Sequence, residues 1–211
     1  MASSPAADDL GGRFVVLPLP PDALVLLVGV AASGKSTFAA RHFARTQVLS
    51  SDAMRAMITD DPHAQAATDD AFDLLHQLLA MRLRRGRRTV VDATNVEGWA
   101  RAELIAVAQR HRRPVVAIVL DLPLEVALER NVRRPPPRPP NGALARQHRW
   151  LRDALKELPH EGLAAMHHLR SEAEIDAVRV VDASEGAQRN VPKEQGRSTA
   201  AAEASAVVRT Q

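Results

Sequence analysis

The stretch Gly29-Val30-Ala31-Ala32-Ser33-Gly34-Lys35-Ser36 decides how the rest of this chain is read. It matches G-x-x-x-x-G-K-[ST], follows the apolar run Leu24–Val28 and opens a helical pattern from Lys35 to Arg45. Strand, glycine-bounded turn and helix are the context such a phosphate loop requires. The turn aims backbone N–H groups at a phosphate, and the helix behind it adds the positive end of its dipole. Lys35 is expected to reach the β- and γ-phosphates of ATP, and the Ser36 hydroxyl to ligate Mg²⁺. Gly29, Ala32, Ser33, Gly34, Lys35, Ser36 and Thr37 are thus the expected ATP-binding residues. Of 28 basic residues only Lys35, Lys156 and Lys193 are lysines. The one in the loop stands where a compact ammonium fits between two phosphates and a planar guanidinium does not.

Outward from the loop, the runs Val48–Leu49, Thr89–Val91 and Val115–Leu120 are short, Val-rich and continuously apolar. This is the pattern of strands buried on both faces of a parallel sheet. Helical segments are expected between them at 68–85, where Thr68/Asp69 would cap, and at 97–112, with Trp99, Leu104, Ile105 and Ala108 on one stripe. Further helices are expected at 124–132 and 143–158. Short strands at 166–169 and 178–181 would complete the sheet. The fold class is α/β, a P-loop kinase-like open parallel sheet flanked by helices. Phe14 to Pro20, with two prolines, reads as an edge strand or extended lead-in. The expected division is an N-terminal flank at 1–22, one domain at 23–183 and a disordered tail at 184–211, rich in Ala, Ser, Glu and Gln.

Composition bounds the partners. The 211 residues carry 28 basic and 25 acidic side chains and no Cys or Tyr. With so little titrating between His and Arg, a net charge of +3 is enough to raise the pI to about 10.1. The high pI therefore does not identify a nucleic-acid binder. Lack of cysteine excludes a disulfide scaffold, a thiolate zinc site and cysteine catalysis. No apolar run approaches membrane-spanning length and no signal peptide is read, so a cytoplasmic chain is expected. Aromatic residues make up 3% of the chain, which disfavours extended base stacking. Trp99 and Trp150 read as core or half-buried anchors. No carboxylate stands at ligand spacing from His167-His168, so no metal site is expected there.

Three features beyond the loop point to group transfer. Ser50-Ser51-Asp52 ends a strand, and strand carboxyl ends face the ligand crevice of such a sheet. Asp52 is placed to accept the proton of an attacking hydroxyl, and Arg55, one turn on, to hold a substrate phosphate. Val90-Val91-Asp92-Ala93-Thr94-Asn95 closes another strand at the same rim. There Asp92 is expected to hold Mg²⁺ through water or to pair with an arginine, and Asp92, Thr94 and Asn95 to meet substrate. The segment 130–152 contains seven arginines and no acidic residue, and five prolines between 135 and 140 interrupt it. It reads as a lid, spanning about 130–146, with Arg130 and Arg134 stabilising the transferring phosphoryl. A second cluster, Arg82 to Arg88, sits at a helix C-terminus, where cations are favoured anyway.

These motifs resemble the kinase domain of bacterial polynucleotide kinase–phosphatases, relatives of the phage 5′-hydroxyl polynucleotide kinase. The likeness runs from about Leu24 to Val181. It is carried by Leu27–Phe38, Val48–Arg55, Ala66-Ala67-Thr68-Asp69-Asp70-Ala71-Phe72, Thr89–Val96, Val115–Leu122 and Glu129-Arg130-Asn131. The resemblance implies ATP- and Mg²⁺-dependent phosphorylation of an RNA or DNA 5′-OH end. It makes Asp52 the general base, Arg55 the holder of the substrate phosphate, and Arg130 and Arg134 the clamp on the donor. Ala32 replaces a glycine usual in that loop, a costly change if the position needs positive φ. Arg134-Pro135-Pro136-Pro137-Arg138 is longer and richer in proline than the usual R-P-x-R. The chain stops near the end of the kinase domain, so a phosphatase or ligase would be a separate partner. Two alternatives share the same loop: a kinase for a small metabolite or nucleotide sugar, and an ATP-binding regulatory module without efficient catalysis.

Overall fold

The computed structural model describes residues 14–183. The expected tail at 184–211 and the first 13 residues of the N-terminal flank lie outside the described residues. In chain order the elements are β1 (Val15–Leu19), β2 (Leu24–Val28), α1 (Lys35–His42), β3 (Val48–Ser50), α2 (Ser51–Thr59), α3 (Thr68–Arg84) and β4 (Thr89–Asp92). There follow α4 (Gly98–Arg110), β5 (Val115–Leu120), α5 (Leu124–Val132), α6 (Asn141–Glu157), β6 (Ala165–Leu169), α7 (Glu172–Asp176) and β7 (Val178–Asp182).

Five strands pair in parallel in the order β3-β4-β2-β5-β6. Because successive strand residues face opposite sides, the continuous apolar runs feed two cores. Leu24, Leu26, Val28, Val91, Ala117 and Val119 pack with α3, α4, α5 and α6 through Leu75, Leu79, Leu104, Ala127, Leu144 and Leu151. Val25, Leu27, Val90, Val116, Ile118 and Leu120 pack on the other face with Phe38 and Ala39 of α1 and with Leu17 and Leu19 of β1. β2 lies between β4 and β5, so the phosphate loop leaves the sheet at its centre, where the strand order reverses. Among the described residues no helix is long and apolar enough to cross a membrane.

Two elements differ from the sequence expectation. β7 does not extend the main sheet; it pairs in parallel with β1, Val15 opposite Val178 and Leu19 opposite Asp182. Leu17 and Leu19 point into the core while Val16 and Pro18 face outward, so the ribbon lies as a flap over one face of the sheet. Arg88 fixes it, donating to Leu19 O (2.8 Å), Pro20 O (2.9 Å) and Asp182 (2.5 Å). Thr68 does not cap α3. The cap position is Ala67, without a side-chain cap bond, and the Thr68 hydroxyl is buried and unpartnered.

Candidate active site

The loop between β2 and α1 is built by close approach. A Cβ on Gly29 would lie 2.7 Å from Leu120 O, so only glycine lets the turn pass the end of β5. Gly34 sits at φ +100°, where other residues are strained, with Arg130 Nη1 3.2 Å from where its Cβ would be. Ala32 also adopts positive φ, +63°. The position therefore does demand the left-handed conformation, and this chain meets it with a residue that disfavours it.

Lys35 is buried, and its Nζ donates to Gly29 O (3.0 Å) and Val30 O (2.8 Å). Burial, reinforced by the nearby positive charge of Arg134, pulls the ammonium down to about 8, against the pull of Asp92 and Asp52. Asp92, at the end of β4, is raised by burial, with Asp52 adding to the effect. The Ser36 hydroxyl, Lys35 and Arg134 oppose that rise. Lys35, Asp52, Asp92 and Arg134 thus share one electrostatic neighbourhood at the carboxyl ends of β2, β3 and β4. Ser36 and Thr37 are exposed at the start of α1. With the Asp92 carboxylate, the Ser36 hydroxyl forms a pair of hard oxygen donors of the kind Mg²⁺ accepts.

Ser50 caps α2 by accepting from Ala53 N, so Asp52 is free of capping duty and stands in the exposed first turn. Arg55 is buried beneath it. Its Nε donates to Pro62 O (3.0 Å) and its Nη2 to the Asp52 carboxylate. The i,i+3 spacing brings the two together as expected.

A cleft of about 320 Å³ opens beside the loop, with Ala32, Gly34, Thr37, Arg130 and Arg134 in its wall and Ile175 and Asp176 opposite. Arg130 donates to Ser33 O (3.3 Å) and to Glu172 of α7 (2.5 Å). The Pro-rich segment is a braced turn between α5 and α6. Arg138 donates to Val132 O (2.7 Å) and Arg134 O (3.1 Å), closing the carboxyl end of α5, and Asn131 donates to Pro139 O (2.8 Å).

The structure does not bring every candidate to the cleft. Asn95 is buried at φ +50°, and its amide donates to Leu27 O (2.8 Å) and Val91 O (3.4 Å). Its side chain stitches the ends of β2 and β4. Thr94 meets the loop through its main chain, its carbonyl accepting from Gly29 N at 2.9 Å. Trp99, expected on the apolar stripe of α4, is 64% exposed, whereas Trp150 is half-buried under Arg146.

Two residues were missed by the sequence reading. Arg101, fully buried, binds Glu161, Glu157 and Asn95 O. Gln147 accepts from Ala31 N at 2.8 Å. Both sit on the apolar stripes of their helices, Arg101 with Leu104, Ile105 and Ala108, and Gln147 with Leu144 and Leu151. A polar residue on such a stripe needs a buried partner, and that was the available signal.

A glycine-bounded loop at the switch point of a parallel sheet, with a buried lysine and strand-end carboxylates, defines a P-loop kinase-like α/β domain. Residues 24–158 match the model of the AAA domain family, and the chain belongs to that family. Among solved structures, a chain of the Pnkp1/Rnl/Hen1 RNA repair complex is 22% identical with a TM-score of 0.56, over 72% of this chain and 49% of that one. The AvrRxo1-ORF1:ORF2 structure with ATP is 17% identical with a TM-score of 0.55, over 73% of this chain and 55% of that one. A gluconokinase from Sinorhizobium meliloti is 18% identical with a TM-score of 0.47, over 75% of this chain and 87% of that one. At these identities the likeness to the first two is one of fold. The chain spans about half the length of the first two. No curated protein matches the sequence.

Proposed function

We propose that the domain is an ATP-dependent kinase that moves the γ-phosphoryl group to a hydroxyl acceptor, a polynucleotide 5′-OH end being the acceptor the sequence resemblance favours. The carrying observation is Asp52, uncapped and exposed at the end of β3, within electrostatic reach of Lys35 and held by Arg55. In this reading the acceptor oxygen attacks the γ-phosphorus and its proton passes to the Asp52 carboxylate. The bond to the β–γ bridging oxygen breaks, and ADP leaves with that electron pair. Lys35, Arg130 and Arg134 stabilise the charge that builds on the phosphoryl oxygens. Arg55 orients Asp52 and meets the acceptor's phosphate. Ser36 and Asp92 would hold Mg²⁺, whose charge, when bound, offsets that of the phosphates.

One feature favours a small acceptor instead. A cleft of about 340 Å³ beside Val96 is walled by Trp99 and Trp150 and by Glu97, Asp153 and Glu157. Glu157 is paired with Arg101 and Asp153 with Lys156, so among the described residues Glu97 is the unpaired anion beside two indole rings, a lining that suits a neutral or cationic molecule better than a phosphodiester chain.

Both readings meet one assay: labelled ATP, Mg²⁺, and a panel of 5′-OH oligonucleotides and small alcohols, run with the unchanged chain and with Asp52→Asn. The expected result is transfer to oligonucleotides that Asp52→Asn abolishes while ATP binding persists. Transfer to small alcohols alone would replace the polynucleotide reading. Near-normal transfer by Asp52→Asn would remove Asp52 as the base. ATP binding without transfer to any acceptor would leave the regulatory-module reading.

A further inference from the structure

The peptide unit joining Val30 to Ala31 is gripped on both edges. Its carbonyl accepts from Lys35 Nζ at 2.8 Å, and its N–H donates to Gln147 Oε1, also at 2.8 Å. Gln147 comes from 116 positions away, on the helix that follows the Pro-rich segment. Arg130, on the helix that precedes it, donates to Ser33 O. Both legs of the lid therefore rest on the main chain of the phosphate loop.

The carboxamide of Gln147 has a defined orientation. Only an acceptor can face a backbone N–H, so Oε1 is turned toward Ala31 and Nε2 is the free end. Among the described residues Nε2 donates to no protein acceptor, and it is not among the buried polar atoms that lack a partner. Two N–H donors are thus presented, pre-oriented, beside the loop. Leu144 and Leu151, buried on the same face of α6, keep this side chain against the protein. The position along the loop also matters. Lys35 Nζ marks the end of the turn where the terminal phosphates belong, and Ala31 is the next residue along.

We propose that Gln147 is a phosphate-contacting residue: anchored through Oε1 on Ala31, it donates from Nε2 to the terminal phosphate of a bound nucleoside triphosphate, across that phosphate from Lys35. The proposal rests on the ATP-binding reading of the loop and adds a contact that separates a triphosphate from a diphosphate. A neutral donor in this place adds a hydrogen bond to a charged group without adding a further cation to a neighbourhood that already holds Lys35 and Arg134.

Calorimetric titration of the full chain with ATP and with ADP tests it, using Gln147→Glu and Gln147→Ala. Glutamate keeps an acceptor toward Ala31 N–H but replaces the donors with an anionic oxygen. The expected result is ADP affinity within about twofold of normal and ATP affinity lowered about tenfold or more. Alanine should lose less ATP affinity than glutamate. A role confined to the Ala31 bond predicts instead that alanine lowers ATP and ADP affinity in parallel and leaves their ratio unchanged. A normal ATP-to-ADP ratio in Gln147→Glu would overturn the proposal. Should that variant fail to fold, Gln147→Met decides, losing the ATP preference if the proposal holds and keeping it if not. Failure of the unchanged chain to bind either nucleotide would instead sink the ATP reading itself, before any substitution is made.

Discussion

The guanidinium of Arg101, with no solvent exposure, donates to the main-chain carbonyl of Asn95 at 3.0 Å. The same group meets Glu161 through Nε (3.0 Å) and Glu157 through Nη2 (2.8 Å). It thereby ties the rim after β4 to the end of α6, so the strand carrying Asp92 and the helix carrying Gln147 share one brace. Arg101→Ala would leave Glu161, whose side chain is only 18% exposed, without its partner. The expected cost is about 3–5 kcal/mol of stability. Urea unfolding measures it; a change within experimental error would show that the brace is dispensable. Arg101→Lys should recover little, since a point charge cannot serve three acceptors in a planar fork.

Ala32 at φ +63° carries a conformational cost that glycine would not. Ala32→Gly is expected to raise stability by about 0.5–1 kcal/mol, the relief at positive φ being partly offset by the extra freedom glycine gives the unfolded chain. Ala32→Val should do the opposite, because a β-branched residue tolerates this region least. A denaturation midpoint that falls for Ala32→Gly would contradict the argument.

Lys35, pulled down to about 8 by burial, should impose a pH dependence on nucleotide affinity. In the proposed role the protonated form would bind phosphate, and bound phosphate would raise the lysine's pKa. Affinity should therefore be nearly flat below about pH 8 and decline above it, by up to about tenfold per pH unit until the pKa of the complex is reached. Titrations from pH 6 to 10 test this. Lys35→Arg, charged throughout, should bind more weakly but without that break. A rise in affinity above pH 8 would reverse the sign of the argument.

Glu172 holds the Arg130 guanidinium that the proposed mechanism assigns to the donor phosphate. The pair is substantially exposed, 36% and 53% for the two side chains, so it contributes little to stability. Glu172→Gln should move the unfolding midpoint hardly at all, within about 0.5 kcal/mol. It should tighten ATP binding several-fold by freeing the guanidinium. Weaker ATP binding in this variant would mean that Glu172 positions Arg130 instead of withholding it.

The residues legible in the sequence are those whose placement at the rim of the sheet follows from their immediate neighbours. Lys35 is set by the six residues before it, and Asp52 and Asp92 by standing where an apolar run ends. What could not be read depends on distant partners. Gln147 and Arg101 stand out in the sequence as polar residues on apolar helix stripes, but nothing local names Ala31 and Glu161 as the partners that satisfy them. The run at 178–181 reads as a strand, but five residues carry no instruction about which edge they join. Asn95 has the right position for substrate and the wrong orientation. Its positive φ turns the amide into the sheet, a choice that local sequence leaves open.

The pairing of β1 with β7 bears on how the molecule is made. Val15 finds its partner only in Val178, so a chain emerging from a ribosome must wait for nearly the whole domain before the flap can close. Until then, Leu17 and Leu19 have no ribbon to hold them against α1, and β1 offers unpaired amides to any passing strand. Closure over so long a loop is expected late in folding; Arg88 and the burial of Leu17 and Leu19 then hold it, but its two strands have no third strand beside them, as those of the main sheet do. The amides of Leu17 and Leu19 should thus exchange with solvent ahead of those of Leu26 and Ile118. They would report the earliest partial opening of the fold while the phosphate loop is still intact.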